Sequence, residues 1–311
     1  MKRILFGFKM LLLFGLTLVS TSVSAANRTY GGAFSMHRVS TVNHLITVGA
    51  SAGYSTIIEN YDDLSTQGDV GALFGIGYEM RTNGFYLSTG VEAQLVNANA
   101  VYSLSIKDHP ILDTQGKPAV MHYAFDPITE YQRITYVQIP LILGYNHCGF
   151  YVGAGAKVGF PVQASVQQLS SYKTSVTYNE YVEDFEGMGN HGYGEYTLDA
   201  KESLDAKLKV SLAAEIGYDL LKSLQDKDQN QRNGLKLSAV FEYGLTNIAG
   251  ASKMSDMFEV SPDNASQVII KPFYHTQSIT GHHVNNLYAG IKLTWTCDLS
   301  SKPYSSCMCN K

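Results

Sequence analysis

From Phe150 to Val162 the chain alternates. Phe150, Val152, Ala154, Ala156, Val158, Phe160 and Val162 are apolar, and Tyr151, Gly153, Gly155, Lys157 and Gly159 between them are small, polar or charged. Successive side chains of a strand point to opposite faces, so this segment has one continuous apolar face and one small, polar face. The same phase recurs over 46–54, 70–80, 85–95, 137–145, 208–218, 235–245 and 287–295. Thr82-Asn83-Gly84 and Asn233-Gly234 precede strands, and Asn-Gly favours a tight hairpin because both residues tolerate positive φ. Asn146-His147-Cys148-Gly149 supplies another reversal.

Alternation alone suits a soluble sandwich or lipocalin-like barrel as well as a membrane barrel. The polar faces decide between them. They are rich in glycine (Gly71, Gly75, Gly77, Gly153, Gly155, Gly159), with isolated charges near mid-strand. Such a face makes a poor water-exposed surface but fits the crowded inside of a narrow barrel. Aromatics of the apolar set gather at the strand ends: Tyr78, Phe85, Tyr145, Phe150, Tyr218 and Trp295 at one rim, Tyr54, Phe160 and Tyr243 at the other. Amphipathic rings settle at membrane interfaces. The expected fold is therefore all-β: an eight-stranded antiparallel up-and-down transmembrane β-barrel with long extracellular loops.

Composition adds limits. The 311 residues suffice for one large β domain, and 16% charged residues with a net charge of -4 give no basic field, so nucleic acid is not an expected partner. Lys2, Arg3 and Lys9, the apolar run 10–19 and Val23-Ser24-Ala25 read as a signal peptide over 1–25, cleaved after about Ala25. The remainder divides into a lead-in over 26–43, the barrel over 44–296 and a cysteine-containing tail over 297–311. With the mature N-terminus periplasmic, the turns at 82–83 and 147–148 are tight, and that at 220–234 is long. The outward connections are 57–69, 103–130, 167–205 and 249–285. This places the protein in the outer membrane of a Gram-negative bacterium, with outer-membrane lipid as its surroundings.

Val137-Gln138-Ile139-Pro140-Leu141, a short turn, and then Phe150-Tyr151-Val152-Gly153-Ala154-Gly155 resemble the middle of the outer-membrane β-barrel domain proteins common in Bacteroidetes, of the OmpA-like and PorT-like eight-stranded shape. The resemblance covers about 45–296 and is specific around the fourth and fifth strands. It implies an outer-membrane barrel with no enzymatic residues to carry over. The long third loop and the cysteine tail depart from that pattern.

Candidate chemistry is sparse. Glu92, Gln138, Lys157, Glu215, Glu242 and Lys292 point inward, with Lys207 and Lys209 higher, and opposite charges in so narrow a lumen are expected to pair across it as a plug. A gated or proton-conducting lumen is the sharper alternative. In the third outer loop Tyr172, Tyr178, Tyr181, Tyr193 and Tyr196 alternate with acidic residues, a composition suited to recognising an extracellular protein or glycan. The histidine spacings lack a metal pattern, and no strand histidine stands out as a catalytic base, so no metal, no cofactor and no enzymatic activity are expected. Cys148 lies in a turn on the far side from Cys297, Cys307 and Cys309, so a bridge within the tail, from Cys297 to Cys307 or Cys309, is expected. The leading reading is a structural or surface-recognition barrel. A small porin-like channel is the alternative, a membrane-embedded enzyme has least support, and the sequence leaves oligomeric state open.

Overall fold

Eight long strands close into a ring. In chain order the strands are β1 (Asn43–Glu59), β2 (Leu64–Thr82), β3 (Phe85–Tyr102), β4 (Lys107–Leu112), β5 (Pro118–Phe125), β6 (Ile128–His147), β7 (Phe150–Tyr178), β8 (Glu195–Ser203), β9 (Lys209–Asp219), β10 (Asn233–Gly244), β11 (Phe258–Val260), β12 (Val268–Ile270) and β13 (Val284–Asp298). The ring runs β1–β2–β3–β6–β7–β9–β10–β13 and back to β1, every neighbour antiparallel. The computed structural model describes residues 42–59, 64–82, 84–104, 106–112, 116–178, 193–220, 233–249, 258–261, 267–272 and 284–299.

The barrel is inverted relative to a water-soluble one. Ile76, Leu143 and Ile291 stand outward at 57%, 61% and 65% exposure, while Gln138, Lys209 and Glu242 inside are at most 1% exposed. An apolar belt of this extent far exceeds the few hundred Å² that a soluble monomer exposes. A closed barrel leaves no strand edge, so its backbone polar groups are satisfied without water, as a spanning segment requires. The chain is a transmembrane barrel. On its outer surface Phe85 neighbours Tyr145 and Phe150 neighbours Tyr218, with Trp295 on the same rim. Tyr54, Phe160 and Tyr243 are exposed at the other. The ten-residue step from Phe150 to Phe160 is about 33 Å along the strand, or about 24 Å along the membrane normal at a tilt of about 45°, the height of a barrel's apolar band.

Two local features set the geometry. Cys148 and Gly149 both take positive φ, 51° and 86°, so the β6–β7 hairpin is a two-residue type I′ turn with cysteine where asparagine or glycine is usual. On β7, Pro161 pairs with Tyr136 and Gln163 with Thr135, leaving Val162 as the extra residue of a bulge. The bulge exchanges the faces: Phe160 points out, but Val166 and Gln168 beyond it are buried.

Above the membrane the walls continue, which corrects the expected loops. The connections at 103–130, 167–205 and 249–285 contain strands. β5 pairs with the upper part of β7 and β4 with β5, β8 pairs with β7 on its other side, and β11–β12 forms a separate hairpin. Alternation was present there, as in Ala119, Met121 and Tyr123 buried against Val120, His122 and Ala124, but these runs are short and polar outside. Lys207 is a further correction: it is exposed, beyond the start of β9, rather than in the lumen.

Candidate functional site

The lumen is layered, and strand parity determines which side chains enter each layer. At mid-height Lys157 lies 2.7 Å from Glu92 and 3.3 Å from Glu242. Lys292 reaches the other oxygen of Glu92 at 3.0 Å, and Lys209 reaches Glu242 at 2.6 Å. The Gln138 amide donates to Glu92 at 3.1 Å, and the Ser211 hydroxyl donates to Glu242 at 2.9 Å. Three ammonium groups from β7, β9 and β13 thus share two carboxylates from β3 and β10. Gln94 accepts from Lys209 and donates to Glu242 at 3.3 Å, and the Lys209 ammonium also lies 4.8 Å from the centre of the Tyr136 ring. Each charge is desolvated but answered, the condition for tolerating buried ions.

Glu215 belongs to a second layer, toward the end of the barrel that carries the β6–β7 hairpin. There the Tyr86 hydroxyl donates to Glu215 at 3.0 Å. Lys236 donates to both oxygens of Glu79 at 2.7 and 3.0 Å, with Arg81 also on Glu79. The Lys236 ammonium lies 5.4 Å from the Tyr86 ring centre and 5.0 Å from that of Tyr151. Tyr86 can lie across this floor because two glycines face it. A Cβ at Gly144 would fall 2.3 Å from the ring, and one at Gly153 would fall 2.2 Å from the hydroxyl. A small cavity between the two layers has a mixed lining, with Ser88, Glu215 and Lys292 beside Leu73, Ile142 and Ala213.

Above the central layer the lumen turns apolar. Ile57, Val96, Ile134, Tyr136, Ile248 and Val284 pack together at 0–1% exposure. Ile248 arrives from the segment after β10, fixed by main-chain bonds from its N–H to Val284 and from Lys207 to its carbonyl. Higher still, buried Glu130 accepts from Gln132 at 2.8 Å and Gln168 at 3.1 Å.

The tyrosines of the third outer loop lie in a second apolar core rather than on an open surface. Tyr172 and Tyr193 are buried among Tyr102, Met121, Tyr123, Ile128, Val176, Val268 and Ile270, and Tyr178 and Tyr196 are half-buried against them. Tyr172 stacks on Tyr196 at 5.4 Å, and the Tyr178 and Tyr193 hydroxyls are 3.1 Å apart. Burial raises the hydroxyl pKa of Tyr172 and pushes that of Tyr123 up to about 12. Tyr181 lies outside the described residues, as do Cys307 and Cys309; Cys297 is near the end of β13.

Histidines do occur in strands, contrary to the sequence reading. His44 and His147 stack on Tyr78 and Tyr145 at the rim that carries the β6–β7 hairpin. His122 on β5 joins Asp108 of β4 at 2.7 Å and Thr177 of β7 at 2.8 Å. That series links three adjacent strands. Among the described residues no group of three His, Cys, Asp or Glu is placed to hold a metal ion.

Glu79, Lys236, Tyr86 and Gln94 were missed as network members. Inward parity was their signal, and it gives direction without partner. No protein-family model and no curated protein matches the sequence. Among solved structures the chain is similar to Ail, the attachment invasion locus protein of Yersinia pestis, in complex with the heparin analogue sucrose octasulfate: 9% identity over 81% of this chain and 98% of that one, TM-score 0.32. It is also similar to Neisserial surface protein A, at 10% identity over 80% and 95%, TM-score 0.28. These likenesses are too distant to bear on function, and the barrel rests on its own closed ladder.

Proposed function

We propose that this chain is a non-enzymatic outer-membrane barrel whose lumen is closed and whose role is structural or recognitive, exercised from its extracellular side. The observation that carries this reading is the stack inside the barrel: the Tyr86 floor, the shared-carboxylate layer around Glu92 and Glu242, and the largely apolar layer of Ile57, Val96, Ile134 and Ile248. Ions crossing it would have to part desolvated ion pairs and then pass a largely apolar layer in which Tyr136 and Asn286 supply the few polar atoms. The leader over 1–25, removed after export, would deliver the barrel to the outer membrane of a Gram-negative cell. Above the membrane the tyrosine-rich core gives the outer segments a rigid base, suited to presenting a surface to an extracellular protein or glycan.

Reconstitution into planar bilayers tests the closed lumen. The expected record is no steady conductance in neutral salt. Discrete, reproducible steps would instead favour the small-channel reading.

A further inference from the structure

On the outer wall just above the second aromatic girdle, four strands align polar side chains in rows. Asn97 of β3 faces Arg133 of β6, and in the next row Tyr131 of β6 faces Gln167 of β7, which faces Lys201 of β8. Tyr131 is 45% exposed, and its neighbours in these rows share its outward face. Gln167 lies seven positions beyond Phe160, one of them taken by the bulge, which is about 14 Å above the girdle along the membrane normal.

Among the described residues, exterior cations are of two kinds, those with a carboxylate partner and those, Lys207 among them, without one. Lys173 pairs with Glu195 at 2.7 Å and Lys271 with Glu259 at 4.0 Å. Arg133 uses only Nε, donating to Asn97 at 3.2 Å, and Lys201 has no carboxylate partner among the described residues. The nearby carboxylate, Asp199, is held by the Gln167 amide at 2.9 Å. Two unneutralised cations, an exposed phenol ring and planar amide and carboxylate groups match a phosphorylated sugar: the cations for phosphate, the ring for a sugar face, the amide and carboxylate for hydroxyls.

We propose that this lateral patch, Asn97, Tyr131, Arg133, Gln167, Asp199 and Lys201, binds the phosphorylated saccharide core of lipopolysaccharide in the surrounding outer leaflet. The patch faces sideways, toward neighbouring lipid, at the height where that core begins. The inference rests on the outer-membrane reading above.

Purified full-length protein in detergent micelles, titrated with rough lipopolysaccharide, provides the test, read as bound lipopolysaccharide phosphate after gel filtration. A cation at an anionic lipid surface accounts for about a fivefold change in affinity, so R133Q/K201Q should weaken binding about thirtyfold. Y131A should weaken it further, and K173Q should leave it unchanged. Wild-type protein that binds no lipopolysaccharide, binds phosphatidylglycerol equally well, or is unaffected by R133Q/K201Q overturns the proposal. Membrane fractionation of the same strains separates this from failure of the location itself. Wild type and R133Q/K201Q should both sediment with the outer membrane, and wild type found elsewhere would overturn the outer-membrane reading instead.

Discussion

Replacing Glu242 by glutamine keeps the shape of the central layer and removes one of its two negative charges. Glu242 is the carboxylate partner of Lys209, which is wholly buried, and it shares Lys157 with Glu92. Oriented to accept from Ser211 and Lys209, the amide would turn its NH₂ toward the donors Gln94, Gln138 and Lys157. Leaving a buried charge without its partner costs about 3–5 kcal/mol. E242Q/K209M, which removes both charges and fills the space with an apolar chain, should recover most of that loss, to within about 1 kcal/mol of wild type. K173M, which breaks a pair exposed at 70% and 73%, should cost under about 0.5 kcal/mol. Urea titration of protein folded into phosphatidylcholine vesicles, followed by the fluorescence of the single tryptophan, Trp295, measures all three. If E242Q costs no more than K173M, the central layer is not a desolvated ion-pair network.

Gly153→Ala should push the Tyr86 hydroxyl, which would lie 2.2 Å from the new Cβ, away from Glu215, costing about 1–3 kcal/mol in the same titration, and it should cost much less in a Tyr86→Leu background, where the nearest remaining neighbour is the Ile142 side chain at 3.0 Å. The raised hydroxyls of Tyr123 and Tyr172 stay protonated in the folded head above pH 10, where an unfolded chain begins to ionise. Their stabilising effect is therefore complete below about pH 10 and lost as pH rises toward 12, so proteolysis of the outer segments should increase over that window, less steeply in Y123F. Ile134→Ala should destabilise by about 2–4 kcal/mol without opening conductance, since the ionic layer beneath remains. Thiol blocking followed by mass spectrometry of exported protein should find Cys297 joined to Cys307 or Cys309, with Cys148 free to react.

Much of the barrel could be read from the sequence because a spanning strand must obey one rule along its whole length: apolar toward lipid, small or polar toward the lumen. That rule set the phase of all eight ring strands and directed Glu92, Lys157 and Glu242 inward. Partners were less legible. Lys209 was expected above the central layer yet meets Glu242, and Lys292 was expected below it yet meets Glu92, because ring stagger shifts residues on different strands by amounts no single strand encodes. The head was hidden for another reason. Outside the membrane no lipid demands a uniform face, so Tyr172 and Tyr193 sit among serines and acids and read as a loop, although together with β5 and β12 they close a core. The Val162 bulge had no clear sequence mark beyond Pro161, and it reverses the faces of everything after it.

The central claim, that the alternating apolar face contacts lipid, is tested most directly at Trp295. This side chain stands outward at one girdle, 42% exposed. In vesicles of brominated phosphatidylcholines its fluorescence should be quenched strongly by bromine placed near the headgroup end of the chains, less by bromine near the bilayer centre, and little by aqueous acrylamide. Strong acrylamide quenching with no effect of either brominated lipid would contradict the account.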